Sequence, residues 1–222
     1  MVDLVLQRLG PQLNALEDDI RRTLIQDNST GYPKLIVVSS DAGAGKSTVA
    51  TPLANRLGAV ELPLDDFYRG PHDLESEIWD QTYFMDDYAR ALELAAGGHK
   101  VRWQPIDWHT GAPDGPERCI ARGEYDLVVA SGVGLLGDRF WGSFDYRIWV
   151  DCNDPLSRGL ARDIVYGAEF ADYWQIWRRM DQRFRAKYGL PHNRRPDDLS
   201  VPPDRRLNWI IDNNLRSRRY GS

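Results

Sequence analysis

The chain has 222 residues, a formal net charge of -5 and 42% hydrophobic residues. This length suits one α/β domain with a sizeable core, and the acidic balance argues against general affinity for nucleic acid. No apolar run approaches the roughly 20 residues that span a bilayer, and no signal peptide is present, so we expect a cytoplasmic protein without membrane contact. The two cysteines, Cys119 and Cys152, have no metal-ligand spacing and form no disulfide framework.

The first predicted element is an amphipathic helix within residues 1–30. Its apolar residues recur near helical spacing, with charged residues between them. They are Leu4, Leu6, Leu9, Leu13, Leu16, Ile20 and Leu24. The pair Gly10-Pro11 is a point where the helix could break. Such a stripe serves either packing within the chain or the contact of a homodimer.

Short apolar runs and helical patterns alternate along residues 31–222. Strands are predicted at 35–38, 60–64, 101–104, 127–130 and 147–150. Helices are predicted at 47–57, 83–96, 155–166 and 172–188. Periodicity does not decide whether residues 208–212 form a strand or a helix. The alternation predicts an α/β fold with a mostly parallel central sheet between two layers of helices.

A glycine-rich motif, Ser40–Thr48, follows the first buried strand and opens a helix. Gly43 and Gly45 let backbone N–H groups turn inward around phosphate oxygens, and the helix N-terminus adds a favourable dipole. Lys46 reaches the β and γ phosphates, and Ser47 can ligate Mg²⁺. The motif predicts a nucleoside triphosphate site. Its residues are Ser40, Ala42, Gly43, Ala44, Gly45, Lys46, Ser47 and Thr48.

A pair of acids, Asp65 and Asp66, comes just after the second predicted strand. Binding crevices of α/β sheets lie at this edge, where strands end. A carboxylate there can accept a proton from an attacking hydroxyl, and the next one can assist a metal-bound water. The alternative interpretation is that both acids only cap the turn that follows.

The phosphate loop followed by Asp65-Asp66-Phe67-Tyr68 resembles the uridine kinase-like family. That family also includes phosphoribulokinase, nicotinamide riboside kinase and bacterial pantothenate kinase. The resemblance spans about residues 35–188. It implies a P-loop NTPase fold of three α/β/α layers, with a kinase domain at 31–222 and a helical lid at about 155–190. It also implies transfer of the γ-phosphate of ATP, with Mg²⁺, to a hydroxyl of a nucleoside-like or other small metabolite.

The resemblance also implies roles for individual residues. Asp65 would be the catalytic base, and Lys46 and Arg162 would act on the transferred phosphate, with Arg158 contacting the nucleotide. Metal ligands would be Ser47, Asp65 and Asp66. The acceptor would contact Asp65, Tyr68, Asp80, Asp107 and His109, because Trp79-Asp80 and Pro105–His109 are similar to the family's two acceptor segments.

Several positions depart from the family pattern. Ser40 stands where the loop usually begins with Gly, and Ile106 replaces a pocket Tyr that stacks on pyrimidines. Ser131 replaces an acid that supports Mg²⁺, and residues 165–169 lack the family's further lid arginines. These departures motivate an alternative function, a nucleotide-binding regulatory protein with weakened catalysis. A P-loop hydrolase is disfavoured because no switch-like Asp-x-x-Gly follows a strand in the right context.

Overall fold

The computed structural model describes residues 2–25, 31–69, 79–108, 110–167 and 170–214, without the side chains of residues 2–7, 25, 80, 166 and 170. The helices are α1 (Val2–Ile20), α2 (Lys46–Leu57), α3 (Trp79–Thr82), α4 (Met85–Ala96), α5 (Pro155–Asp163) and α6 (Phe170–Tyr188). The strands are β1 (Lys34–Ser39), β2 (Val60–Pro63), β3 (Val101–Trp103), β4 (Arg118–Ile120), β5 (Leu127–Ser131), β6 (Tyr146–Asp151) and β7 (Trp209–Asp212).

Within the described residues the central sheet has the strand order β2-β5-β1-β6-β7, and every neighbouring pair is parallel. Because the strands are parallel, their carboxyl ends meet at one edge of the sheet. The segments after β1, β2, β5, β6 and β7 therefore converge there. This architecture confirms the predicted α/β fold and shows that residues 208–212 contain a strand.

The sheet is buried on both faces, as its continuous apolar strands predict. Leu35 and Val37 of β1 pack into a core that includes α4 and α6. Ile36 and Val38 pack into a second core that includes α1 and α2. The alternation of side chains along one strand thus supplies both cores, and the helices form the two outer layers.

Helix α1 passes through Pro11 without ending, so the predicted break at Gly10-Pro11 is wrong, and a π-helical turn continues the helix over Arg21–Ile25. Its stripe packs against α2 and the sheet, with Leu16 and Ile20 at 0% exposure. Gln12 also bonds the backbone of the edge strand β7. Its side chain donates to Asp212 O and accepts from Asp212 N, both at 3.0 Å. Packing within the chain buries the stripe from Leu9 to Leu24, the part whose side chains are described, and the homodimer contact stays a prediction.

The strand predicted at 101–104 forms outside the central sheet. As β3 it pairs antiparallel with β4, which the sequence analysis did not predict. The helix predicted at 83–96 begins at Met85, and the short helix α3 precedes it. In the described part of the chain, no helix combines the length and apolar character needed to cross a membrane.

Candidate active site

The phosphate loop lies between the buried strand β1 and helix α2, as predicted. Gly43 and Gly45 have φ of 79° and 97°, a left-handed backbone that favours glycine. A Cβ atom at Gly43 would lie 2.3 Å from Pro155 O, and one at Gly45 would lie 2.4 Å from Asn213 Nδ2. Both glycines are therefore required by backbone conformation and by space.

A cavity of about 210 Å³ adjoins this loop at the carboxyl edge of the sheet. It brings together residues predicted for nucleotide, metal and catalysis. Those predicted residues are Ala42, Gly43, Gly45, Lys46, Ser47, Thr48, Asp65, Arg158 and Arg162. The other lining residues are Trp79, Tyr83, Trp108, Val133, Gly159, Trp174 and Trp177. We refer to this space as the catalytic cavity, after the role that the sequence analysis predicts for its residues.

Three cationic side chains line the catalytic cavity. Lys46 is 9% exposed at the start of α2. On α5, Arg162 binds the Asp163 carboxylate through Nε at 2.5 Å and Nη2 at 2.8 Å. Arg158 donates to Asn213 O at 3.1 Å. Positive charge from α2 and α5 thus lies at the wall of a cavity that the phosphate loop borders, an arrangement suited to phosphate.

Asp65 lies in the 3₁₀ turn that follows β2 and lines the same cavity. The Tyr83 hydroxyl donates a long hydrogen bond of 3.5 Å to Asp65 Oδ1. The Trp108 indole donates to the Asp65 backbone oxygen at 3.2 Å. These contacts hold the turn in place while the carboxylate remains at the cavity wall, where it can accept a proton from a bound hydroxyl.

Asp66 is placed differently from Asp65 and does not line the catalytic cavity. Its Oδ2 accepts from Trp103 Nε1 at 2.7 Å and pairs with Arg118 Nη1 at 2.8 Å. Burial raises the pKa of the Asp66 carboxyl, and the contacts with Trp103 and Arg118 oppose that rise. Asp66 therefore joins the turn after β2 to the β3–β4 hairpin, and a metal ion in the catalytic cavity would rely on other ligands.

Two predicted acceptor residues, Tyr68 and Asp107, do not line the catalytic cavity. Tyr68 is 2% exposed and stacks on Trp108, with ring centroids 4.4 Å apart. Asp107 accepts from the backbone N–H and the hydroxyl of Thr110 at 2.7 and 2.8 Å, which closes a local turn. Tyr68 thus supports a wall residue, and Asp107 shapes the loop that carries Trp108.

The other two predicted acceptor residues lie partly or wholly outside the described structure. Asp80 belongs to α3, directly after the wall residue Trp79, but its side chain is not described. His109 lies outside the described residues. Their acceptor contacts remain predictions.

Two predicted nucleotide residues, Ser40 and Ala44, belong to the phosphate loop but do not line the catalytic cavity. The Ser40 hydroxyl donates to Asp41 O at 2.7 Å, and Ala44 O accepts from Asn213 Nδ2 at 2.7 Å. Ser131, at the end of β5, is 5% exposed and also lies outside the cavity lining. The sequence analysis did not identify Asn213, just after β7, as a residue that contacts the phosphate loop. Only the pairing of β7 with β6 in the parallel sheet brings this distant segment to the loop.

Helix α6 contacts the phosphate loop through a set of residues that sequence analysis missed. Asp181 Oδ2 accepts from Ala42 N at 2.9 Å, and Arg185 Nη1 pairs with Asp41 Oδ2 at 2.9 Å. Trp174 lines the catalytic cavity, and its indole donates to Asp163 on α5 at 3.1 Å. Helix α6 therefore covers the loop and joins it to α5.

Replacing Asp181 with Asn should alter how stability depends on pH. Burial, reinforced by the Asp41 carboxylate, raises the pKa of Asp181 well above its ordinary value of 3.8. Above pH 3.8 the folded chain therefore keeps a proton on Asp181 that the unfolded chain releases. The free energy of unfolding falls as the pH rises from 3.8 through the pKa of Asp181 in the folded chain. Asn keeps an oxygen for Ala42 N–H without the charge. Thermal melts from pH 4 to 8 should show a higher Tm for Asp181→Asn at pH 8.

The matched control is Asp172→Asn, an exposed acid on the same helix. It should lower the Tm slightly, because a negative charge in the first turn of α6 is favourable, and should leave the change of Tm between pH 5 and 8 like that of the wild type. An equal loss of Tm between pH 5 and 8 in the wild type and in Asp181→Asn would contradict the interpretation.

A magnesium ion fits the residues that line the catalytic cavity only if nucleotide and water complete its shell. Ser47 and Asp65 both line this cavity, and both carry oxygen ligands of the kind that Mg²⁺ prefers. No cluster of three or more His, Cys, Asp or Glu arranged for a metal occurs among the described residues. Mg²⁺ commonly uses one or two protein ligands with phosphates and water, so this set suffices.

Neither a family model nor a curated protein sequence matches the chain. Solved structures do match it. A protein designated a fructose transport system kinase, from Silicibacter sp. TM1040, has a TM-score of 0.61 at 19% identity, covering 78% of this chain and 94% of its own. The chain has the fold of the uridine kinase-like P-loop kinases.

Two further solved structures, both of proteins designated kinases, share this fold. A protein designated a uridine kinase, from Bacillus stearothermophilus, has a TM-score of 0.58 at 14% identity, covering 92% of this chain and 100% of its own. D-glycerate 3-kinase from Cryptococcus neoformans has a TM-score of 0.58 at 11% identity, covering 78% of this chain and 87% of its own. These designations name different substrates, so the shared fold does not by itself indicate a substrate for this chain.

Proposed function

We propose that the chain is an ATP-dependent kinase that transfers the γ-phosphate to a hydroxyl of a small metabolite. The observation that carries the proposal is the position of Lys46, Asp65 and Arg162, which line one cavity beside the phosphate loop. That cavity therefore combines a candidate base with cations suited to a transferring phosphate.

In the proposed reaction Asp65 accepts the proton of the acceptor hydroxyl. The acceptor oxygen forms a bond to the γ-phosphorus, the bond from that phosphorus to the β–γ bridging oxygen breaks, and ADP leaves. Lys46 and Arg162 neutralise charge on the phosphate oxygens during the transfer. Mg²⁺, held by Ser47 and Asp65 with the nucleotide, would supply further charge neutralisation.

The aromatic side chains near Asp65 favour an acceptor with a flat or apolar face. Trp79, Tyr83, Trp108 and Trp177 line the catalytic cavity together with Asp65. Aromatic side chains offer broad apolar surface, and a ring of a nucleoside or sugar presents such a face to them. Asp80 and His109 are proposed to select the acceptor from the surrounding segments, while Asp107 shapes the loop that carries Trp108.

The test is ADP formation from ATP and Mg²⁺ with a panel of nucleosides, sugars, sugar acids and vitamins. At least one acceptor should raise ADP formation above the rate without acceptor, and a phosphorylated product should appear by mass spectrometry. ADP formation at background with every acceptor would contradict the proposal.

The second candidate function is a nucleotide-binding regulatory protein with weakened catalysis. The observation that favours it is Ser131, a short neutral side chain at the end of β5. The uridine kinase-like family, which the sequence resembles, has an acid that supports Mg²⁺ at this position. Tight ATP binding without transfer to any acceptor would support this function. New transfer activity in Ser131→Glu would support it further.

Lys46→Ala should weaken binding of a nonhydrolysable ATP analogue by roughly 10- to 100-fold, because a charged hydrogen bond contributes about 1.5–3 kcal/mol. Isothermal titration calorimetry with Mg²⁺ measures the effect. Lys100→Ala is the matched control, since Lys100 is exposed and does not line the catalytic cavity. Equal affinities for the two variants would contradict the assignment of Lys46.

A further inference from the structure

The part of the catalytic cavity around Asp65 is lined by four aromatic side chains. Trp108 and Tyr83 adjoin Asp65 directly, since the Trp108 indole donates to Asp65 O at 3.2 Å and the Tyr83 hydroxyl donates to Asp65 Oδ1 at 3.5 Å. Trp79 lies beside Tyr83 and Trp177 lies beside Trp108, with ring centroids 6.3 and 6.1 Å apart. All four line the cavity, and we refer to them together as the aromatic wall.

The rings of the aromatic wall have different orientations around one small space. The planes of Trp108 and Trp177 are inclined by 79°. Tyr68, which does not line the cavity, stacks on Trp108 at 4.4 Å, so Trp108 contacts the cavity on the side away from Tyr68. Several aromatic rings around one space are the arrangement of aromatic cages, which bind ammonium groups because each ring face is partly negative.

Few polar groups beside the aromatic wall could bind additional hydroxyls of an acceptor. Outside the phosphate loop and α5, Asp65 and Tyr83 are the only described lining side chains with a charge or a hydroxyl. The Trp108 indole nitrogen is bonded to Asp65 O, and those of Trp79 and Trp177 are buried. A sugar or nucleoside would therefore leave several polar groups unpaired, at a cost in free energy. An alcohol with one hydroxyl needs only Asp65.

The charges in the catalytic cavity favour a cationic acceptor once nucleotide is bound. Asp65 is the only acid among the described residues that line this cavity, and Lys46, Arg158 and Arg162 outnumber it. The phosphates of a bound nucleotide neutralise these three cations. A cation at the aromatic wall is then attracted by Asp65 and by the phosphates together. Such an acceptor should bind more tightly after the nucleotide than before it.

The volume of the catalytic cavity favours a compact acceptor. It is about 210 Å³, whereas ligand pockets commonly have roughly 300–1,000 Å³. A cavity of about 150 Å³ can hold benzene. The space beside the phosphate loop therefore suits an alcohol of similar bulk better than a whole nucleoside.

We propose that the acceptor is a small cationic alcohol, with an alkylated ammonium group against the aromatic wall and a single hydroxyl at Asp65. This inference rests on the proposed kinase function, because it names the substrate class of that reaction. The hydroxyl loses its proton to Asp65, and its oxygen bonds to the γ-phosphorus as the bond from that phosphorus to the β–γ bridging oxygen breaks. The products are ADP and the phosphate monoester of the alcohol, and Asp65 then releases the proton to water.

Choline and a neutral analogue test the inference by binding. The analogue is dimethylbutanol in which carbon replaces the charged nitrogen, so the two alcohols have nearly the same shape. Each is titrated calorimetrically into the full chain with Mg²⁺ and a nonhydrolysable ATP analogue. Choline should bind at least about tenfold more tightly than the neutral alcohol, and more tightly than choline alone without the ATP analogue. Equal or tighter binding of the neutral alcohol would overturn the inference.

Two variants of Trp108 place the bound cation at the aromatic wall. Trp108→Leu and Trp108→Phe both lose the hydrogen bond to Asp65 O, but only Phe keeps an aromatic ring. The Kd for choline should be about fivefold higher in Trp108→Leu than in Trp108→Phe, while the neutral alcohol should have similar Kd values in both. Equal Kd values for choline in the two variants would overturn the inference.

An assay of ADP formation separates this inference from the kinase proposal. Choline should raise ADP formation, and phosphocholine should appear by mass spectrometry. Phosphorylation of a sugar or nucleoside without binding or phosphorylation of choline would overturn the inference and leave the kinase proposal intact. Tight binding of choline without transfer to any acceptor would support the cation site and contradict the kinase proposal.

Discussion

Asp65→Asn is expected to lower kcat by about 10²- to 10⁴-fold with any acceptor that the chain phosphorylates, the range typical of a lost general base. Asparagine has nearly the same shape as aspartate but cannot take the proton of the hydroxyl. The backbone oxygen of Asp65 would still accept from Trp108, so the turn should keep its position. Affinity for the nucleotide in the absence of Mg²⁺, which Asp65 is proposed to help hold, should therefore change little.

The measurement is a steady-state assay that separates kcat from KM, together with calorimetric titration of an ATP analogue. Asp66→Asn is the control next to it in sequence, because Asp66 faces Trp103 and Arg118 outside the catalytic cavity. It should keep a kcat close to that of the wild type at temperatures below its own Tm. Full activity in Asp65→Asn, or an equal loss in both variants, would exclude Asp65 as the base.

Gly159→Ala is expected to lower the Tm by about 5–10 °C. A Cβ atom at Gly159 would lie 1.9, 2.2 and 2.4 Å from three atoms of the Trp174 ring. Overpacking a filled core costs about 1–3 kcal/mol, and each kcal/mol lowers the Tm of a chain of this size by roughly 2–4 °C. The indole must move away from α5, which would also weaken its bond to Asp163.

Gly142→Ala is the matched control for this prediction. A Cβ atom added at Gly142 would have no heavy atom within 4 Å, and Gly142 has no positive φ, so the methyl group meets nothing. Its Tm should stay within about 1 °C of the wild type, as for other surface substitutions. Equal melting of the two variants, measured by circular dichroism, would show that the contact between Gly159 and Trp174 does not stabilise the fold.

The phosphate loop could be predicted because its information is contiguous. A buried strand, two glycines, a lysine and a helix follow one another within Leu35–Leu57, and local sequence determines each of them. Asp65 could be placed because it ends a strand, and parallel strands end at the same edge. The sheet itself followed from the alternation of apolar runs with helical patterns.

Contacts between distant segments could not be predicted. Asp181 and Arg185 appear in sequence as ordinary charges on an amphipathic helix, and only the packing of α6 brings them to Ala42 and Asp41. The side chains of Asp65 and Asp66 also lie in different surroundings because of contacts with a distant segment. The hairpin of β3 and β4, which sequence periodicity did not reveal, holds Asp66 away from the cavity.

The side chain of Gln12 has a consequence for how the protein behaves at high concentration. Strand β7 is an outer strand of the central sheet, and Gln12 occupies the backbone N–H and C=O of Asp212. Unpaired groups on an outer strand invite strand addition by another chain and then aggregation. Helix α1 therefore blocks the Asp212 position of β7 from pairing with a strand of another chain. We expect a shortened chain that begins at β1 to aggregate more readily.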